Sequence, residues 1–258
     1  VSLSDVRLIW NISSKPNSLL YNDHWERTYG DSSWHKQKDE ELFPWFFMEY
    51  NANKVYGFGV KTGCNAFCGW LLSKEKMTLI LDTRNGADGV ELAQRKLKAA
   101  EIVTFQSKNN EPRFAATQRF AKLMCDKPLL PQAPVYGIND WYLTYGRNSA
   151  SLIMQHTNLI APLTEGLKNR PFSVIDDGWF EVTEKGKSAD VIKPNNKFGD
   201  MQKLAMQIKD AGMRPGLWTR PLLAVEHSPA NLLLSSKGEF VYDPSISENL
   251  ERVATIFK

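Results

Sequence analysis

The 258-residue sequence is poor in several things that would decide its class at once. Its three cysteines, Cys64, Cys68 and Cys125, are too few and odd in number for a disulfide framework, so at least one lacks an intrachain partner. The spacing C-x3-C in "TGCNAFCGW" has no second Cys or His cluster to complete a metal site; small buried side chains in a strand region explain it better, and the redox compartment stays open. Four histidines (24, 35, 156, 227) show no ligand spacing, so no metal is expected. No stretch approaches the 18 or so consecutive apolar residues that would span a bilayer, and no basic-then-apolar leader opens the chain. The start on Val1 fits either removal of an initial segment or a start inside a longer polypeptide. Localisation is therefore undetermined between cytoplasm and periplasm or exterior.

Charge is equally unremarkable. A formal net charge of +3, with no dense run of Lys and Arg, argues against a nucleic-acid partner. There is no glycine-rich phosphate loop; "DTRNGADG" reads as a hairpin turn. "NIS" at 11–13 is an acceptor only in a secretory context that nothing else supports. What the chain does have is aromatics: eight Trp, eight Tyr and 13 Phe. Most belong in a core, but rings of this kind also stack on the apolar faces of sugars.

The first half alternates short β-branched and aromatic runs with turn punctuation. "LFPWFFMEY" (42–50), "KVYGFGV" (54–60), "AFCGWLL" (66–72), "MTLILDT" (77–83) and "AEIVTFQS" (100–107) predict the strands of an antiparallel β-sandwich. The period then changes: Ala116, Phe120, Leu123 and Met124 mark a helix within 111–125. Three prolines in "DKPLLPQAPVYG" read as a linker. The expected division is a sandwich over 1–127, a linker over 128–134, and a second domain over 135–258.

From about Val135 strand and helix alternate, which points to a parallel α/β architecture. "APVYGIND" and "PFSVID" are strands; "SASLIMQHTNLIA" is a helix closed or kinked at Pro162; "DMQKLAMQIKDAG" is a helix with Gly212 at its C′ position. "MRPGLW" follows as a poor strand on propensity, since Pro215 and Gly216 interrupt it. Ser247 is placed to cap a last helix in "ENLERVATIFK".

In such folds ligands bind at the carboxyl ends of the strands. Those ends carry Asn139, Asp140, Trp141 and Tyr142; then Asp176, Asp177 and Trp179; then Trp218 and Arg220. An Asp-Asp-Gly by itself is more often a surface turn. Carboxylates beside aromatics at three neighbouring strand ends describe a sugar pocket instead, with rings against the pyranose face and carboxylates accepting from hydroxyls.

"PVYGINDWYLTYG", "FSVIDDGWF" and "AGMRPGLWTRP", in that order, resemble the first three strand ends of the α-galactosidase clan of retaining glycoside hydrolases, in its bacterial α-galactosidase and raffinose synthase branch. "FPWFFMEY", "YGFGVKTG" and "DTRNGADGVELAQRKLKAAEIVTF" resemble the β-sandwich that precedes the barrel there. The resemblance implies an N-terminal antiparallel sandwich followed by the first three to four β/α units of a (β/α)8 TIM barrel. Val135 to Lys258 is about half of the roughly 250 residues a complete barrel takes, so the barrel is incomplete in this chain.

The resemblance further implies that Asp176 and Asp177 bind galactose hydroxyls and that Trp141 and Trp218 line the sugar subsite. Arg220 stands where many relatives carry an acidic residue. Retaining hydrolysis of terminal α-galactosides needs a nucleophile and an acid/base; the resemblance puts both beyond Lys258, with no cofactor. Transfer of galactose to a sugar acceptor, or carbohydrate binding without turnover, are the other functions it admits. An α-galactoside or related oligosaccharide is the expected partner, with no membrane or nucleic acid, and homo-oligomerisation is left open.

Overall fold

A computed structural model describes residues 2–12, 15, 17–25, 32–84, 89–182, 189–224, 228–230, 233–236, 239–244 and 246–256, without the side chains of 189–191, 234–236, 239 and 240. The chain is β-rich and divides into two compact units, Val1–Leu129 and Leu130–Lys258.

In the first unit, alternation along each strand buries one side chain in two and so favours two sheets face to face. A four-stranded antiparallel sheet runs in the order Asp5–Trp10, Met77–Asp82, Phe67–Ser73, Glu40–Pro44. A five-stranded one runs Ile102–Gln106, Lys54–Val60, Phe46–Asn51, Leu19–Asn22, His35–Lys36. Trp70, Leu79 and Cys68 from the first meet Leu20 and Phe47 from the second in one core. The far face of the five-stranded sheet receives the helix Arg113–Met124 through Phe120 and Ala116, both fully buried. Gly57 makes this approach possible, because a Cβ there would sit 2.9 Å from the Phe120 ring.

The run 42–50 departs from its expected single strand. Trp45 adopts a left-handed backbone, φ 60°, and splits the run between the two sheets. Both of its backbone polar groups are satisfied there: its N–H donates to the Cys68 carbonyl at 3.1 Å, and its own carbonyl accepts from Trp70 Nε1 at 3.1 Å. Tertiary hydrogen bonds thus hold a corner that local propensity does not announce.

In the second unit, Gly137–Asn139, Phe172–Ile175 and Arg214–Leu217 form a three-stranded parallel sheet in that order. The helices Ala150–Ile160 and Met201–Asp210 lie in the two crossovers. Ser149 and Asp200 cap them, accepting from Leu152 N and Lys203 N. Pro162 falls in a 3-10 turn, Ala161–Thr164, that continues the first helix past Ile160. Gly212, φ 86°, ends the second: its N–H and that of Met213 reach back to the Lys209 and Ile208 carbonyls, a Schellman closure. Ile153, Ile175, Trp179, Leu204 and Ile208 form the core between these helices and the sheet.

Pro215 sits in the third strand without breaking it. Arg214 N and Trp218 N donate to Pro171 O and Ile175 O, so the even-numbered nitrogens face the neighbouring strand. The nitrogen of Pro215 faces the other side, where its missing hydrogen leaves no bond unmade in this sheet. Two antiparallel hairpins complete the unit, Phe180–Val182 with Ala189–Pro194 and Leu233–Ser236 with Glu239–Tyr242. The last helix, Ser247–Ile256, has Ser247 as its first residue rather than as the cap before it. No helix among the described residues is long and apolar enough to cross a membrane.

Candidate functional site

The carboxyl end of the middle parallel strand runs straight into Asp176-Asp177-Gly178, and this turn is braced from every direction. Asp176 is 9% exposed. Its Oδ2 accepts from Asn139 Nδ2 at 2.6 Å and its Oδ1 from the backbone N–H of Asp177 at 2.7 Å. Its own N–H donates to Asp140 Oδ1 at 2.9 Å. Asn139 completes the chain of contacts by accepting the Trp141 N–H on Oδ1, at 2.8 Å. The end of the first strand is thereby tied to the end of the second through one amide side chain.

The carbonyls of the turn are tied as well. Asn148, fully buried, donates from Nδ2 to both the Asp176 and Asp177 carbonyls, at 3.2 and 3.1 Å. Asn195 Nδ2 donates to the Gly178 and Phe180 carbonyls, at 2.8 and 3.2 Å, and its N–H donates to the Trp179 carbonyl. Five consecutive carbonyls thus meet donors from two asparagines, which is what buried backbone oxygens require. Gly178, φ 104°, is the one residue type this path admits: a Cβ would come within 2.4 Å of the Gly146 carbonyl.

These braces leave Asp177 with a distinct role. Its Oδ1 accepts the Gly178 N–H at 2.7 Å, while Oδ2 accepts no hydrogen bond among the described residues. Asp177 lines a cavity of about 390 Å³, together with Trp141, Tyr145, Lys197 and Arg220. The Trp141 and Tyr145 rings meet edge to face at 5.7 Å. Lys197 is held in place by its Nζ on the Gly146 carbonyl, 3.1 Å, and by Asn195 Oδ1 on its N–H, 3.1 Å.

Of the five residues expected at a sugar site, three line this cavity: Trp141, Asp177 and Arg220. Asp176 and Trp218 are not among its lining residues. Trp218 stacks on Phe180, interplanar angle 12° and centroids 6.4 Å apart, and its carbonyl accepts from Trp179 Nε1 at 2.7 Å. Phe180 is itself a lining residue, so Trp218 stands behind the wall that Phe180 presents. Asn148, Asn195 and Lys197 were not singled out by the sequence. Asn has no periodic signature, and its partners here are carbonyls 15 to 29 residues away. Among the described residues no group of three or more His, Cys, Asp or Glu could hold a metal ion.

A sandwich followed by parallel β/α units with a ligand-sized cavity at the strand ends defines the architecture. No family model matches the sequence, and no curated protein matches it. Solved structures do. Kfla1895, as a point mutant in complex with cyclobis-(1->6)-alpha-nigerosyl, is similar over 98% of this chain and 39% of its own, at 12% identity and a TM-score of 0.52. The same protein in complex with isomaltose matches at 11% identity, TM-score 0.50, with 98% of this chain and 40% of that one covered. The uncharacterized protein lmo2446 from Listeria monocytogenes EGD-e matches at 13% identity and TM-score 0.50, over 98% of this chain and 27% of its own. At such identities the likeness is one of fold. The chain spans about two fifths or less of the length of each of these three structures.

Proposed function

We propose that the cavity at the ends of the parallel strands binds a terminal glycosyl residue of an α-linked oligosaccharide, as part of a retaining glycoside hydrolase. The observation that carries this reading is the pairing of Asp177, one carboxylate oxygen open, with the Trp141–Tyr145 ring pair in one cavity. A carboxylate accepts strongly from sugar hydroxyls, and the rings take the apolar face of a pyranose. Arg220 and Lys197 supply donors to the same ligand. Asp176, with both oxygens engaged, holds Asp177 in register rather than bearing the main sugar contact.

In this reading the second unit, 135–258 by sequence, is the opening part of a (β/α)8 barrel preceded by a sandwich over 1–127. The substrate is a terminal α-galactoside, cleaved by double displacement with two carboxyl groups from outside these residues and without a cofactor. Transfer to a sugar acceptor uses the same glycosyl-enzyme. A second reading, an α-glucosyl residue in the cavity, is favoured by the ligands in the Kfla1895 complexes and by Arg220 standing where the galactoside pattern carries an acid.

Titration of this chain with galactose, raffinose, glucose and isomaltose, followed by tryptophan emission and calorimetry, decides between them. Saturable binding of the galactosides supports the first reading and preference for isomaltose the second. Binding of no sugar at millimolar concentration overturns both. Release of nitrophenol from α-galactosides by a longer natural form separates hydrolysis from binding alone.

A further inference from the structure

The bend between the strands Lys54–Val60 and Phe67–Ser73 brings two cysteines together in the first unit. The Sγ atoms of Cys64 and Cys68 are 3.7 Å apart, in van der Waals contact. Both also lie against the Ala66 carbonyl, at 3.2 and 3.4 Å, so one carbonyl orients the two S–H groups toward the same point. Cys68 is fully buried in the sandwich core beside Trp70, whereas Cys64 is half-buried. Both thiols are free. A disulfide needs about 2.05 Å between sulfurs, so bonding draws these two sulfurs together from their contact at 3.7 Å.

The two sulfurs are not equivalent. Burial first, and the adjacent Cys64 sulfur second, push the Cys68 thiol up to about 12. Cys68 therefore stays protonated at neutral pH and out of solvent, and Cys64 is where a reagent enters.

We propose that Cys64 and Cys68 are a dithiol–disulfide couple assembled by the fold, with a small-molecule disulfide of the glutathione type as its oxidant. Cys64 as thiolate attacks one sulfur of RS–SR; the Cys64–SR bond forms, the RS–SR bond breaks, and RS⁻ leaves and takes a proton. Cys68 then attacks the Cys64 sulfur; the Cys64–Cys68 bond forms, the Cys64–SR bond breaks, and the second RS⁻ leaves with the proton from Cys68. The two cysteines lose two electrons and two protons, and RSSR becomes two RSH. The bond closes a ring of only a few residues, so it stabilises the fold less than a bond that closes a long loop. Its effect is local: the Cys68 carbonyl accepts the Trp45 N–H, so oxidation fixes the strand that holds the corner.

The test equilibrates the folded chain in reduced and oxidised glutathione, quenches with acid, alkylates and measures intact and tryptic masses. The expected result is a loss of about 2 Da, one alkylated thiol at Cys125, and an internal bond within the peptide 62–74. Half-oxidation is expected at a glutathione ratio about tenfold more reducing for the folded chain than for the same chain in urea. Cys125→Ser leaves the couple intact, and Cys64→Ser abolishes the mass loss. A persistent glutathione adduct on Cys64, a bridge to Cys125, or equal oxidation of folded and unfolded chains overturns the proposal.

Discussion

Asp176 and Asp177 are neighbours of one residue type in one turn, yet the groups around them divide their work. Removing the Asp176 carboxylate leaves Asn139 Nδ2 and the Asp177 N–H without their acceptor in a site 9% exposed. Asp176→Ala is expected to cost about 2 kcal/mol in urea unfolding, the usual size for buried groups left unpaired. Asp177→Ala, which leaves only the Gly178 N–H without its acceptor, is expected to lower the unfolding midpoint less than Asp176→Ala and, on the proposed reading, to weaken sugar binding about tenfold or more by removing a charge-assisted contact. The reverse pattern in the two variants would exchange their roles. Asn148→Ala orphans the carbonyls of Asp176 and Asp177 together, with an expected loss of about 1–3 kcal/mol and a weakened titration with sugar, because the turn that aims Asp177 loosens. At this scale the sequence pointed to Asp177 and Trp141, which line the cavity and whose chemistry is in the side chain itself, and equally to Asp176 and Trp218, which do not line it. It hid Asn148 and Asn195, whose value lies in distant carbonyls that only the folded chain brings near.

Among the elements, the helix Arg113–Met124 is seated chiefly by one ring, with Ala116 and Met124 beside it. Phe120 is fully buried between the sheet and the helix, with Phe105 at 5.7 Å and Phe46 at 6.0 Å. Phe120→Ala is expected to cost about 3–5 kcal/mol by cavity formation. Gly57→Ala drives a methyl into the ring from below, at an expected cost of about 1–3 kcal/mol. Both are read from urea unfolding curves. This helix was legible because its apolar spacing is local, although Leu123 lies exposed, and so was the strand Met77–Asp82, whose burial alternates residue by residue. The split at Trp45 was not: Pro44 in "FPWFFM" signals a strand end, but the left-handed turn at Trp45 is held by Cys68 and Trp70, which only the folded chain brings near. The strand at Arg214–Leu217 reads as poor on propensity for Pro215 and Gly216 and is placed by the alternation of strand and helix around it; which way the proline nitrogen faces is a fact of register.

For the whole molecule, the carboxylates held by ion pairs contribute to its response to acid. Glu111 beside Arg119, Glu101 between Lys98 and Lys61, and Asp82 beside Arg84 are all kept below their ordinary range, chiefly by hydrogen bonds from those cations. A depressed carboxyl stabilises the fold above its unfolded-state value and loses that contribution as pH falls through its folded-state value. The urea midpoint, followed by tryptophan emission, is therefore expected to fall between about pH 5 and about pH 3. Salt near 1 M should narrow the difference, because these pairs are exposed enough to be screened. An acid response that salt leaves unchanged would assign it to other groups.

The single-residue corner at Trp45 has a consequence of its own. One residue connects a strand of one sheet to a strand of the other, so the parity of side chains in Phe46–Asn51 is locked to that in Glu40–Pro44. An inserted or deleted residue at the corner has no loop in which to disappear. It would turn Phe47 from the sandwich core toward the helix side and exchange it with Met48, reversing inside and outside along a whole strand. Length at this point is therefore more constrained than identity: the corner tolerates replacement of its residue far better than a change in the count.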